Sequence, residues 1–260
     1  MKLVHRIEDL LEGSPLEPFA RRVYQQVHAM GRPRAQQSLR YDRDTARIMA
    51  RVLRADSCCA DVGAHRGSLL EVMLQLAPRA RHFAFEPVPE LAAKLRRRLP
   101  DVELHEVALS DVTGQCTFYH VVDDPGLSGL RRLPKVAADA PVREITVPTR
   151  RLDEMIPADV ALRFLKVDVE GAQLQVLRGA AQTIQRCRPV IVFEHGYMAR
   201  ESYGTTTDMV WDLLVERLGL RISRLADFLN GAASLSREAF NRSVGLHLDS
   251  EFCFVAHPAG

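Results

Sequence analysis

Three carboxylates and an imidazole stand at the ends of two apolar runs. Arg163-Phe-Leu-Lys-Val leads into Asp168-Val169-Glu170-Gly171, and Pro189-Val-Ile-Val-Phe leads into Glu194-His195-Gly196. Acids that emerge from apolar strands have displaced pKa values more often than acids elsewhere, which is what proton transfer at neutral pH requires. His195 adds a group whose ordinary pKa lies near neutrality. The structural alternative is helix capping and ion pairing with Lys166 or Arg178.

An earlier run, Cys58–Val62, ends in Asp61-Val62-Gly63-Ala64-His65-Arg66-Gly67-Ser68. Gly63 permits a tight turn with close backbone approach, and Gly67 opens a helix whose first N–H groups can face a polar ligand. The middle glycine of the dinucleotide fingerprint is missing, so a pyrophosphate would be held poorly. An uncharged adenosine joined to an amino acid would still fit. About 20 residues on, Phe85-Glu86-Pro87 ends the next run, where an acid can accept both hydroxyls of a ribose. A third run ends in Ala108-Leu109-Ser110-Asp111, whose polar groups can meet an adenine edge.

Strands must present these groups. Short apolar runs at 58–62, 82–86, 102–109, 115–122, 143–148, 163–169, 189–195, 220–223 and 251–257 alternate with amphipathic stretches at 68–76, 89–99, 172–187 and 206–218. Such alternation predicts an α/β fold with a largely parallel sheet covered on both faces, binding ligands beyond the carboxyl ends of its strands. Ahead of it, residues 1–56 read as a helical cap or arm, with one helix over Glu17–Met30 and another starting after Asp42 as N-cap. Three roles are open to it: a cap over the core, a homodimer arm, or part of a substrate pocket. Residues 57–260 form the main domain.

The composition is globular, with 47% hydrophobic and 26% charged residues. A net charge of +2 gives no basic stripe for nucleic acid, and no apolar stretch is long enough to span a membrane. Glu8 and Asp9 interrupt the apolar N-terminus, which therefore does not read as a signal peptide. Five cysteines without metal-ligand spacing suit reduced thiols in a cytoplasmic protein.

Asp61-Val-Gly-Ala-x-x-Gly67, Phe85-Glu-Pro87, Ala108-Leu-Ser-Asp111, Leu152-Asp153 and Lys166-Val-Asp-Val-Glu-Gly171 together resemble the FkbM family of S-adenosylmethionine-dependent methyltransferases, over roughly residues 56–197. The resemblance implies a Rossmann-like class I methyltransferase fold with a seven-stranded sheet, and O-methylation of a sugar, glycoside or related natural product. It also implies that Asp61, Gly63, Ala64, His65, Gly67 and Ser68 hold the methionine part of the donor. Glu86 and Pro87 would then meet the ribose, with Ser110 and Asp111 near the adenine. His65 and Arg66 stand where the family often has Asn and a small or apolar residue. Methyl transfer is an in-line displacement, so alignment supplies much of the rate and the protein must mainly remove the hydroxyl proton. Asp168, Glu170, Glu194 and His195 are the candidates. Either His195 acts as general base, or Asp168, Glu194 and His195 bind a hard cation such as Mg²⁺ that lowers the hydroxyl pKa. The rival readings are an NAD(P)-dependent oxidoreductase, disfavoured by the missing glycine, and a cofactor-binding module without catalysis.

Two long segments, Val122–Val142 and Arg224–His247, can reach the same sheet edge and hold Arg131, Arg132, Arg237 and Arg242. Loops of this length often select substrates. Their polar, arginine-rich content suits a hydroxyl-rich or anionic small-molecule acceptor.

Overall fold

A computed structural model describes residues 31, 33–197, 201–245 and 250–259. The expected helix over Glu17–Met30 lies outside the described residues. In chain order the elements begin with α1 (Pro33–Val52), β1 (Cys58–Val62), α2 (Ser68–Leu76), β2 (His82–Phe85), α3 (Pro89–Arg98) and β3 (Val102–His105). There follow β4 (Ala108–Leu109), β5 (Gly114–Val121), β6 (Val142–Arg150), α4 (Leu152–Met155), β7 (Leu162–Val167), α5 (Gln173–Gly179) and α6 (Ala181–Cys187). The chain continues through β8 (Val190–Glu194), α7 (Thr207–Trp211), β9 (Leu220–Arg224), α8 (Leu225–Asn230), α9 (Arg237–Ser243) and β10 (Cys253–Pro258).

Seven strands form one sheet in the order β3-β2-β1-β7-β8-β10-β9, and only β10 runs antiparallel to its neighbours. The order reverses between β1 and β7, the switch point where an α/β sheet opens a crevice. This is the class I methyltransferase arrangement. A small second sheet, β4-β6-β5, stands beside it. The run at 102–109 is therefore two strands in two sheets, because Glu106-Val107 leaves the first ladder and lets Ala108 pair with Thr149.

Strand alternation sorts the core into two layers. Ala60, Val62, Phe85, Leu165, Val167 and Phe193 face one side, where α5, α6, α7 and α9 pack. Cys59, Ala84, Phe164, Val192 and Val255 face the other, against α1, α2 and α8. The same period of two puts Asp61, Lys166 and Glu194 on the α1 side.

Three helical stretches differ from expectation, and the one expected over 206–218 is α-helical only over Thr207–Trp211 and continues as a π-helix over Asp212–Arg217. α1 begins at Pro33, where proline is tolerated because the first N–H groups have no helical partner. Asp42 is thus mid-helix and caps nothing. Tyr41, Thr45, Ile48 and Met49 form the buried stripe of α1 and join the main core, so this helix covers the sheet of its own chain. The helix expected over 172–187 is two. Gly179 lies so close to the Ser110 carbonyl that a Cβ would stand 2.0 Å from its oxygen. α6 then starts anew at Ala181, where Asp153 accepts from the N–H groups of Gln182 (3.1 Å) and Thr183 (2.7 Å). Asp153 thus caps a helix, stabilising its exposed donors. The segment at 224–250 is no plain loop either, since it carries α8 and α9.

All five cysteines are free thiols. Among the described residues, no helix is long and apolar enough to cross a membrane.

Candidate active site

The turn after β1 is held open by backbone geometry. Gly63 has φ 82° and Gly67 φ 74°, both in the left-handed region that favours glycine, and His65 joins them at φ 49°. The N–H groups of Gly63 (3.0 Å) and Ala64 (3.2 Å) donate to the Phe85 carbonyl, tying this turn to the end of β2. Glu86 completes the tie. Its Oε2 accepts from the His65 N–H (2.8 Å) and its Oε1 from the Val88 N–H (2.9 Å). Each oxygen keeps a further lone pair, and Glu86 lines the cleft. Burial pushes its carboxyl up to about 7 against the pull of those two donors. An acid so buried, with acceptor capacity left and an opening toward the cleft, fits a ligand that donates two hydroxyl protons.

The cleft has two halves joined through Gly63, His65 and Asp168, which line both. One half is bounded by Phe85, Glu86, Pro87, Val107, Ala108 and Leu109, with Gly126, Ser128 and Leu130 opposite. Its apolar walls suit a planar base. The other half, about 510 Å³, runs along Ala64, Gly67 and Ser68 and is closed by Asp42, Asp61 and Lys166. Burial raises Asp61 to about 7; Asp168 adds to the rise and Lys166 opposes it. A donor with a cationic amino group would favour the ionised form of such an acid.

Ser110 and Asp111 do not line this cleft. Ser110 is buried, its N–H donates to the Arg150 carbonyl (2.9 Å), and its hydroxyl donates to Asp111 Oδ1 (3.2 Å). The turn serves the junction of β4 with β6 and α5, and Val107, Ala108 and Leu109 meet the cleft instead.

The residues after β7 and β8 converge, but not as the expected set. Asp168, Glu170 and Glu194 bring ligand oxygens within 4.8 Å of one another. His195 is outside that group, with Glu170 taking the expected place. Its residue is only 1% exposed, and its ring stacks on Phe240 at 5.9 Å. Strand alternation explains this: Glu194 points to the α1 side, so His195 turns to the opposite layer.

Lys166, absent from the expected site, is the counter-ion. Its Nζ donates to Asp168 Oδ2 at 2.9 Å, with only 5% of the lysine side chain exposed against 37% for the aspartate. Burial alone would lower the ammonium, but Asp168, Glu194 and Asp61 hold it above its ordinary value. The reverse applies at Asp168, where burial would raise the carboxyl but Lys166 holds it low. Burial and the Asp168 charge push the Glu194 carboxyl well above the usual carboxylate range. Burial also raises Glu170, whose Oε2 accepts from Lys135 Nζ at 2.8 Å. The sequence signal for Lys166 was the same alternation: it pairs in register with Asp61 across β1 and β7.

The family model described as the methyltransferase FkbM domain matches residues 61–222, more than half of the chain. The chain belongs to the FkbM methyltransferase family. The match runs from the first acid of the glycine turn to β9, so it takes in Asp61, Glu86, Lys166, Asp168, Glu170 and Glu194. Among curated relatives, the 2-O-methyltransferase NoeI of Sinorhizobium fredii is 33% identical over 159 residues, covering 54% of this chain and 64% of that protein. The hexuronic acid methyltransferase AglP of Haloferax volcanii is 28% identical over 163 residues, covering 60% of this chain and 64% of that protein. The chain thus spans less than two thirds of the length of either relative. A solved FkbM methyltransferase from Methylobacillus flagellatus aligns at 17% identity and TM-score 0.47, covering 79% of this chain and 44% of that one.

Proposed function

We propose that the protein is an O-methyltransferase that moves a methyl group from S-adenosylmethionine to a hydroxyl of a sugar or glycosylated small molecule. One observation carries the reading. The Gly63–Gly67 turn and Glu86 form a nucleoside-type cleft that meets the Asp168, Glu170, Glu194 cluster at Asp168 itself, in a chain of the FkbM family. The names of NoeI and AglP, a 2-O-methyltransferase and a hexuronic acid methyltransferase, support a sugar hydroxyl as acceptor.

Glu86 would accept the ribose hydroxyls, Val107–Leu109 would flank the base, and Asp61 with the Gly63–Ser68 turn would hold the methionine end. The donor supplies a methyl group already activated on a positively charged sulfur. The chain's own task is to bring an oxygen in line and take its proton. Asp168, kept ionised by Lys166 and open to the cleft, lies at the junction of the two halves. It would hold the acceptor hydroxyl by a hydrogen bond. Glu170, on the same cleft wall, would receive the proton, and Glu194 would stay neutral behind Asp168. The buried ring of His195 suits packing better than this exchange.

A second version keeps the same residues and adds a cation. Asp168, Glu170 and Glu194 offer three oxygen ligands, the type Mg²⁺ prefers, and the ion would hold the acceptor oxygen as its alkoxide. Five free thiols suit a reducing compartment, so we place the enzyme in the cytoplasm. Incubation with S-adenosylmethionine and a panel of saccharides, with and without chelator, tests both versions. Methylated saccharide in chelator supports the cation-free version; methylation only with Mg²⁺ supports the other.

A further inference from the structure

A second recess lies across the strap that covers the cleft. Pro125, Gly126, Ser128 and Leu130 line the cleft from one side of the strap. Leu130, Arg131 and Arg132 line a groove of about 790 Å³ from the other, together with Tyr119, Glu144 and Ser202. This is within the size range of small-ligand sites. Leu130 is common to both spaces, so the groove adjoins the cleft at that residue.

The strap is built, not loose. Tyr119 and Gly129 exchange backbone hydrogen bonds of 2.8 and 3.2 Å, and Ser128 Oγ accepts from the Val121 N–H at 3.0 Å. Leu133 and Val136 pack into a small core with Val121 and Tyr203. Arg132 donates to the Ala137 and Ala138 carbonyls (2.9 and 3.1 Å), which commits it to bracing the strap. Arg131 differs. Its guanidinium lies 5.5 Å from the centre of the Tyr203 ring, a cation–π contact that steadies it, and the residue lines the groove. Glu144 and Ser202 supply acceptors and a donor suited to neutral hydroxyls.

We propose that this groove is a second acceptor subsite, taking the neighbouring residue of a saccharide whose methylated residue lies in the cleft. Arg131 reads an anionic substituent, a carboxylate or a phosphate, on that neighbouring residue. The proposal rests on the sugar-methylating reading above and names what that reading leaves open: an acidic di- or oligosaccharide. A guanidinium steadied by an aromatic ring can offer two parallel hydrogen bonds to either anion.

The test uses the full chain with S-adenosylmethionine and three disaccharides of one linkage: neutral, uronic-acid-containing and phosphorylated. The subsite predicts a KM about tenfold or more lower for an anionic disaccharide than for the neutral one, the worth of one charge-assisted hydrogen bond. Whichever anion shows the gain identifies the source. In Arg131→Ala the ratio of anionic to neutral KM collapses toward unity, and Arg131→Lys restores part of it, while a purely structural role would move both acceptors alike. Equal KM values for all three disaccharides in the unaltered protein, or a parallel loss for neutral and anionic acceptors in Arg131→Ala, would overturn the subsite. Failure to methylate any of the three would instead reject the sugar reading, and the subsite with it.

Discussion

A Cβ on Gly63 would stand 1.9 Å from the carbonyl oxygen of Asp168. The glycine turn after β1 and the acid turn after β7 are therefore in contact through backbone, with no side chain between them. Only glycine allows this approach, and its φ of 82° is one that other residues rarely adopt.

Gly63→Ala should separate these two turns. Left-handed strain alone costs about 1–3 kcal/mol, and the backbone overlap adds to it. We expect a lower Tm together with weakened S-adenosylhomocysteine binding in whatever fraction stays folded. A variant with unchanged Tm and unchanged affinity would show that the contact does not shape the donor site.

On the proposed reading, Glu86 should make donor binding pH-dependent. Its folded pKa of about 7 lies above the ordinary 4.5, so the folded state binds its proton more tightly than the unfolded state. Its contribution to stability is therefore most favourable below about 4.5 and is lost as pH rises through about 7. Hydroxyls that donate to Glu86 favour its ionised form. Affinity for S-adenosylhomocysteine should then rise with pH toward 7 and level off above, by at most about tenfold per unit from this group. Glu86→Gln should flatten that part of the profile, and Glu86→Ala should weaken binding by about 1–3 kcal/mol. Calorimetric titration across pH checks both, and identical profiles in all three proteins would remove Glu86 from the ribose.

Much of this site was legible as strand ends. The turns at Asp61–Ser68, Phe85–Pro87 and Asp168–Gly171 fall where apolar runs stop, and the sheet order then brings them together. Period two also places Asp61, Lys166 and Glu194 on one face, although the pattern says nothing about depth, which makes Lys166 a counter-ion. His195 shows the limit of adjacency in sequence: neighbours on a strand face opposite layers, so two groups beside each other in the chain need not share a site. Ser110 and Asp111 looked like a strand end of the main sheet because Val102–Leu109 reads as one run. The switch of Ala108 into the second sheet comes from pairing with Thr149 of β6, 41 residues on, which no local pattern encodes. Asp42 reads as a helix start because an acid just ahead of Ile48, Met49 and Val52 has the type and place of an N-cap, whereas the helix in fact begins nine residues earlier at Pro33.

Asp168→Asn keeps the shape but removes the charge that Lys166 balances. It should lower kcat by about 10–100-fold, the worth of a charge-assisted hydrogen bond to the acceptor hydroxyl, with donor affinity changed far less. Steady-state kinetics beside calorimetry separates the two effects. Equal loss of donor affinity and kcat would mean that Asp168 mainly builds the donor cleft.

Lys135 ties the strap to Glu170 through a partly exposed ion pair, worth only about 0.2–1 kcal/mol to stability. Lys135→Ala should leave Tm nearly unchanged while raising acceptor KM. Replacing Pro125–Lys135 by a short Gly-Ser link is harsher, because it deletes Leu133, which is 1% exposed and part of the small core beneath the strap. That deletion should lower Tm as well. A Lys135→Ala protein with unaltered acceptor kinetics would show that the strap does not depend on this tether.

The most direct test of the central claim is transfer of label. The protein is incubated with S-adenosylmethionine carrying a deuterated methyl group and an acidic disaccharide, and the products are read by mass spectrometry. The account predicts a saccharide carrying the deuterated methyl on a hydroxyl oxygen, formed in equal amount with S-adenosylhomocysteine and slowed together with it in Asp168→Asn. Tight donor binding with no label on any saccharide, or label on a nitrogen or carbon atom, would contradict it.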